Sequence, residues 1–264
     1  MGHRDIYKGY RPGAGGRAEG GGRGGYQDGT YLIRQAMVMA LSKAVASLFP
    51  PESHGGRPAP SGRELTVVDI GGRGRPYADL LDDGLRQDGL AVRHLVIDLD
   101  PQADIMGLAE SLPLAAASAD VVLCTQVLEH VADPARAVSE MARVLKADGA
   151  CLLSTHGTWF YHPDPEDYWR WTHAGLTELF RQAGFRDIRV RPVGGAKLTL
   201  AVLGLTALER SIGEGAAGGL FRRFVVAPAN FLAAKRLLRR VRGRRSLPGE
   251  LAINYVVTGR AGRS

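Results

Sequence analysis

The chain has 264 residues, enough for one α/β domain of ordinary size with appendages and a sizeable core. Its formal charge is +7, yet residues 1–25 carry +3 and residues 222–245 hold nine basic side chains and no acidic one, which leaves the remaining residues at −5. A mildly acidic body with two basic appendages excludes a basic nucleic-acid-binding core, and two cysteines inside apolar runs, Cys124 and Cys151, suit buried thiols in a reducing compartment rather than a disulfide framework.

The first residues are polar and glycine-rich where a secretory leader needs an apolar run, and no stretch is long and apolar enough to span a bilayer, so the chain reads as cytoplasmic. Residues 1–25 form a Gly/Arg-rich tail that is expected to be disordered. In the unit 26–62, the apolar positions Ile33, Met37, Ala40, Leu41, Ala44, Val45 and Leu48 recur at helical spacing behind an Asp28 cap, and Pro50 to Gly62 reads as a linker. This helix should pack on the body or cover a pocket.

The body, 63–193, is arranged around Leu65 to Pro76, LTVVDIGGRGRP. An apolar β-branched run ends in Asp69 and breaks into Gly71, Gly72 and Gly74, the pattern of a buried parallel strand stopping at a tight turn whose bare backbone lets a ligand approach. Apolar residues at helical spacing follow from Tyr77 to Gln87, so the turn opens a helix and aims free N–H groups at the crevice. A second strand, Val92 to Leu99, carries Asp98 at its end, where a carboxylate either accepts both hydroxyls of a ribose or caps the next helix. Then come a strand from Asp120 to Thr125, a helix started by Asp133-Pro134 and ended by Asp148-Gly149, and a strand from Ala150 to Ser154. Strands alternating with helices imply a doubly wound parallel sheet with its ligand beyond the carboxyl ends of the strands.

The ordered set VVDIGGRGR, VIDLD and AESLPLAAASADVVLCTQVLEHVADPARAVSEMARVLKADGACLLST resembles the class I S-adenosylmethionine-dependent methyltransferases, in particular the small-molecule and glycan group. The resemblance spans Leu65 to Thr155 and resumes at Leu251 to Gly259. It implies a Rossmann-like seven-stranded α/β sheet with an N-terminal helix, a helical insertion (194–249) before the last strand, a final strand and tail (250–264), and S-adenosylmethionine as cofactor. Carried over position by position, Asp69, Gly71, Gly72 and Gly74 shape the loop under the methionine part, and Asp98 holds the ribose. Leu99 and the segment Leu108, Ala109, Glu110 face the adenine, and Thr125 and Gln126 approach the methionine end. Two positions depart from the family pattern. Arg73 and Arg75 stand at glycine places, where Arg73 either pairs with the cofactor's carboxylate or points to solvent, and Leu108 replaces an adenine-binding Asp, leaving that contact to backbone or to Glu110.

The reaction so implied is in-line transfer of a sulfonium methyl group to a nucleophile held close and aligned, with a base needed only for a protonated acceptor. His156 and His162 are candidate bases because an imidazole titrates near neutral pH, and His130 of the Glu129-His130 pair is a third. Residues Ser154 to Thr172, STHGTWFYHPDPEDYWRWT, hold all three tryptophans on the loop after a central strand. Trp159, Tyr161, Asp164, Tyr168 and Trp169 are candidates to build an acceptor pocket there; alternatively Trp159, Tyr161, Trp169 and Trp171 plug the gap between the N-terminal helix and the sheet. No compact metal-ligand spacing is present, so no metal is expected. A helix from Leu176 to Ala183 and a strand from Phe185 to Val193 complete the body.

The insertion begins with an apolar helix, Leu198 to Leu208. It continues with basic residues among apolar ones, and the segment 220–245 either lies on an anionic membrane or packs its apolar side on the body. The expected activity is methylation of a small molecule or glycan, most simply O-methylation, with no nucleic-acid partner. The competing reading is a catalytically silent methyltransferase-like domain that binds cofactor or a partner protein.

Overall fold

The computed structural model describes residues 31–49, 64–72, 77, 91–163, 166–212, 215–229 and 251–262. The Gly/Arg tail, the Asp28 cap, the 50–62 linker, most of the helix expected after the glycine turn, Arg73 and Gly74, Asp164, and residues 230–250 lie outside them.

Among the described residues seven strands form one sheet in the order β3-β2-β1-β4-β5-β7-β6. They are β1 (Glu64–Ile70), β2 (Ala91–Asp98), β3 (Ile105–Met106), β4 (Ala119–Thr125), β5 (Leu145–His156), β6 (Phe185–Val193) and β7 (Asn254–Ala261). Pairing is parallel through β3, β2, β1, β4 and β5, whereas β7 runs antiparallel to both β5 and β6. The order reverses between β1 and β4, so a crevice opens at the carboxyl ends of β1, β2 and β4.

The strands read as unbroken apolar runs because both faces are covered. Side chains alternate across β4: Val121 and Leu123 face one layer, and Val122 and Cys124 the other. The first layer is closed by α1 (Tyr31–Leu48), which lays Met37, Leu41, Ala44, Val45 and Leu48 onto Val67, Leu152 and Val256. Each such large side chain contributes roughly 1.5–3 kcal/mol of apolar burial. The N-terminal helix therefore packs on the sheet. The second layer holds α2 (Pro134–Val144) and α3 (His173–Gln182), with Val138, Met141, Leu176 and Phe180 wholly buried. Proline at the first helical turn and an Asp133 Oδ1 that accepts from Arg136 N at 3.0 Å explain where α2 starts. Both cysteines are free and lie in this layer, Cys124 opposite Leu153 and Cys151 opposite Val122.

Three boundaries differ from the sequence reading. Asp148-Gly149 does not end α2; β5 begins at Leu145, and the β4 pairing slips between Ala119 and Val121, so these residues form a bulge inside β5 with Asp148 at φ 62°. The edge strand β3 is only two residues long, too short to show a periodicity in the sequence. The helix expected from Leu198 to Leu208 is longer, α4 (Gly195–Ile212), and is followed by α5 (Ala216–Phe221) and a single π-turn, Arg222–Val226.

Candidate active site

One side of the crevice begins where β1 ends. Asp69 is buried beneath the turn, and Gly71, at φ +70°, donates its N–H to Ile97 O at 2.8 Å, clamping the turn to the end of β2. A Cβ on Gly71 would stand 2.3 Å from Val127 Cγ2, and one on Gly72 would stand 2.0 Å from the Asp69 carboxyl carbon. Both glycines are thus demanded by contact with β1 and with the turn after β4. At the end of β2, Asp98 Oδ1 accepts from Asp100 N at 3.1 Å, while Oδ2 is buried and accepts nothing among the described residues. A buried acceptor without a donor beside a glycine cradle suits a ligand that brings hydroxyl groups. Leu99 and Leu108 are exposed next to it, Ala109 is buried, and Leu108 bridges to Ser111. Thr125 is buried in β4; Gln126, at φ 56°, donates its backbone N–H to Ser154 O at 2.8 Å and its Nε2 to Ser154 Oγ at 3.1 Å. Glu110, half-buried, continues the segment after Ala109.

On the other side of the crevice the three histidines named from the sequence come together. His156 ends β5, His130 ends the short turn after β4 (Leu128–His130), and His162 is on the loop between β5 and α3. The ring of His162 is 4.9 Å from that of His156 and 5.0 Å from that of His130. His156 Nδ1 meets Asn254 Oδ1 at 2.6 Å, and its Nε2 faces His162 Nε2 at 3.3 Å. His162 Nδ1 lies 3.3 Å from Asp167 Oδ2, which also accepts the His162 backbone N–H at 3.0 Å. With Nδ1 of each ring donating to an oxygen, both Nε2 atoms carry lone pairs, and the gap between them is a seat for one proton.

Glu129 stands behind that seat. It is wholly buried, with Oε2 accepting from Thr155 Oγ1 at 2.8 Å and Oε1 3.4 Å from His156 Nε2. Burial pushes its carboxyl up to about 7, against the pull of its hydrogen bonds and of nearby positive charge. Burial also pushes His156 down to about 3, helped by His162, and burial lowers His162 as well. At neutral pH both imidazoles are uncharged, so the His156–Glu129 contact is no ion pair and carries one proton at most. Asp167 is different. Burial alone would raise it, but Arg170 binds both of its oxygens at 2.5 Å, and with the His162 contacts this holds the carboxyl far below the ordinary range.

Arg170 also fixes the loop, donating to Trp159 O at 3.1 Å, Phe160 O at 2.8 Å and Trp169 O at 2.8 Å. Tyr168 N and Trp169 N both donate to Glu129 O, Trp171 N donates to His156 O at 3.0 Å, and His130 Nδ1 contacts Glu166 O. The aromatic residues divide. Trp159 packs against Leu32, Val202 and Ile253, and Trp171 against the α2/α3 layer, so these two plug gaps. Tyr161, at 67 % exposed, Tyr168 and Trp169 stay open to solvent. Asn254, which orients His156, was not singled out from the sequence; the pair is 98 residues apart and only the β5–β7 register joins it. Among the described residues no group of three His, Cys, Asp or Glu is arranged to hold a metal ion.

Residues 69–153 match the family model described as "Methyltransferase domain". Two curated proteins, each described as "Probable S-adenosylmethionine-dependent methyltransferase", are similar. That of Mycolicibacterium smegmatis is 39% identical over 128 residues, covering 43% of this chain and 49% of the relative. That of Mycobacterium tuberculosis strain H37Rv is 39% identical over 132 residues, covering 44% and 47%. The 2-methyl-6-phytyl-1,4-hydroquinone methyltransferase of Arabidopsis thaliana is 30% identical over 157 residues, covering 50% and 43%. The chain thus spans about half the length of the curated relatives it matches. Among solved structures, the [4+2]-cyclase SpnF superposes with a TM-score of 0.51 at 17% identity, covering 98% of this chain and 88% of that one, a likeness of fold alone. The strand order and the glycine turn define a Rossmann-like fold, and the matched segment is similar to methyltransferase domains. Over this segment the chain is similar to proteins described as S-adenosylmethionine-dependent methyltransferases.

Proposed function

We propose that the protein transfers a methyl group from S-adenosylmethionine to a hydroxyl oxygen of a small molecule or glycan. The observation that carries this reading is the seat for one proton between His156 and His162, backed by Glu129, at the ends of the strands that flank the crevice. When bound, the cofactor supplies a methyl group on a positively charged sulfur, already an activated leaving group. The chain's part is positioning and proton removal. Asp98 Oδ2 accepts from the ribose hydroxyls, and the tight Gly71-Gly72 turn, packed on Val127 and Asp69, lies under the methionine portion. An acceptor hydroxyl at the half-buried His162 gives its proton to the gap between the two Nε2 atoms, and Glu129, poised near neutrality, is the next group able to hold it. Tyr161, Tyr168 and Trp169 offer exposed ring surface to a flat or sugar-like acceptor. Arg73, Gly74 and Asp164 are part of the same reading from sequence. Relatives named for a hydroquinone substrate support a small-molecule acceptor.

The test is calorimetry with S-adenosylmethionine followed by a mass-read screen of hydroxylated acceptors. The natural chain binds the cofactor, Asp98→Ala binds it far more weakly, and an accepted substrate gains the mass of one methylene. A chain that binds no cofactor overturns the enzyme reading in favour of a silent binding domain.

A further inference from the structure

Helix α4 is apolar on both sides. Gly195, Thr199, Val202 and Thr206 recur at helical spacing and are buried, with Val202 against Leu32 and Ile253. The opposite side presents Leu200, Gly204, Leu208 and Ser211, again at helical spacing and all exposed, with Leu200 at 62 %. A water-facing helix side ordinarily carries charge, and between Leu198 and Leu208 there is none. The next elements extend this surface. Leu220, Phe224 and Val225 are exposed, Phe224 at 66 %, and only Val226 of the π-turn is buried. Packing of this segment's apolar residues on the body, one of the two readings open from sequence, therefore fails at Phe224 and Val225. Arg222 Nε reaches Glu209 Oε1 at 2.5 Å and ties the π-turn to α4, so the two apolar surfaces belong to one assembly.

Charge chooses the occupant. In the sequence residues 222–245 hold nine basic side chains and no acidic one, and of these Arg222 and Arg223 lie among the described residues, on the π-turn itself. A nucleic acid would satisfy the arginines and leave the leucines wet; a protein groove would need acidic and apolar surface together. An anionic bilayer supplies phosphates for the arginines and an acyl boundary for the leucines and Phe224. No helix of the described residues is long and apolar enough to cross a membrane, so contact is from one side. We propose that α4, α5 and the π-turn dock on an anionic lipid surface, with Leu200, Leu208, Ile212, Leu220, Phe224 and Val225 entering the headgroup boundary. The position is adjacent to the crevice. Val193, one residue before the α4 entry turn, pairs with Asn254, which pairs with His156, and Arg210 of α4 lies 4.6 Å over the ring of Phe160 on the acceptor loop.

The experiment is co-sedimentation of the full chain with phosphatidylcholine vesicles made with or without phosphatidylglycerol. The expected result is retention on the anionic vesicles only, weakened by salt, and lowered about tenfold or more by Leu220→Asp combined with Phe224→Asp. Leu208→Asp on the separate helix lowers it in the same direction. Cofactor calorimetry on the same variants stays unchanged, which separates this docking from the methyl-transfer reading. The proposal is overturned if the natural chain stays in the supernatant, if the variants are retained equally, or if Phe224→Asp instead dissolves a dimer seen by sedimentation velocity without lipid.

Discussion

The two sides of the crevice are built by different means. The side proposed to hold the cofactor is backbone and absence: two glycines whose missing side chains make room for Val127 and Asp69, and one carboxylate at a strand end, all within a few residues of β1 and β2. The side proposed to meet the acceptor is a convergence of long side chains, in which Glu129, His156, His162, Asp167 and Asn254 arrive from four segments. A site of the first kind is fixed as soon as the sheet pairs. One of the second kind exists only when every contributing element is in place, so it is the more easily disabled without unfolding.

The largest effect that tests this contrast is on turnover. His162→Ala should lower kcat by about 10²- to 10⁴-fold while leaving the calorimetric affinity for S-adenosylmethionine unchanged. A parallel loss of cofactor affinity would erase the division between the two sides. Asp98→Ala should do the reverse, weakening cofactor binding by about a hundredfold through loss of charge-assisted hydrogen bonds, with turnover at saturating cofactor nearly kept.

The acceptor side should also show itself in stability against pH. His156 is held at about 3 in the fold against 6.5 when unfolded, so its contribution is present above 6.5 and is lost as pH falls below it. Glu129 is held at about 7 against 4.5, so its contribution is fully present below 4.5 and is lost as pH rises through 7. Between pH 4.5 and 6.5 these slopes oppose each other. Glu129→Gln removes the opposing slope, and denaturant titrations should then lose about 2 kcal/mol more on acidification across that window than the natural chain does. The smallest effect is at the loop's end. Thr172 Oγ1 accepts from Gly175 N at 3.1 Å, and Thr172→Ala should cost about 1 kcal/mol in the same titrations with cofactor affinity untouched.

The same contrast explains what the amino-acid order makes legible. The strand, the glycine turn and Asp98 are consecutive, so spacing alone marks them. The seven-stranded sheet follows from the family resemblance, while its order, β3-β2-β1-β4-β5-β7-β6, is read from the structure. Histidines 130, 156 and 162 can be named as bases by type, but their meeting cannot, because it depends on β5 and β7 pairing across 98 residues and on Arg170 folding the loop back. Trp159 shows the limit from the other side. Its composition-rich neighbourhood suggests a pocket wall, whereas contact with Leu32 and Val202, far away in sequence, makes it a plug. Phe224 could be assigned to neither membrane nor body until its exposure was known.

The two sulfur atoms of the α2/α3 layer turn the fold into its own gauge. Burial raises Cys124 well above the usual thiol range and pushes Cys151 up to about 12, so almost no thiolate exists at either position in the native state. Alkylating reagents can reach them only when β4 and β5 separate, and the labelling rate therefore reads the opening of the central sheet directly, without any added probe.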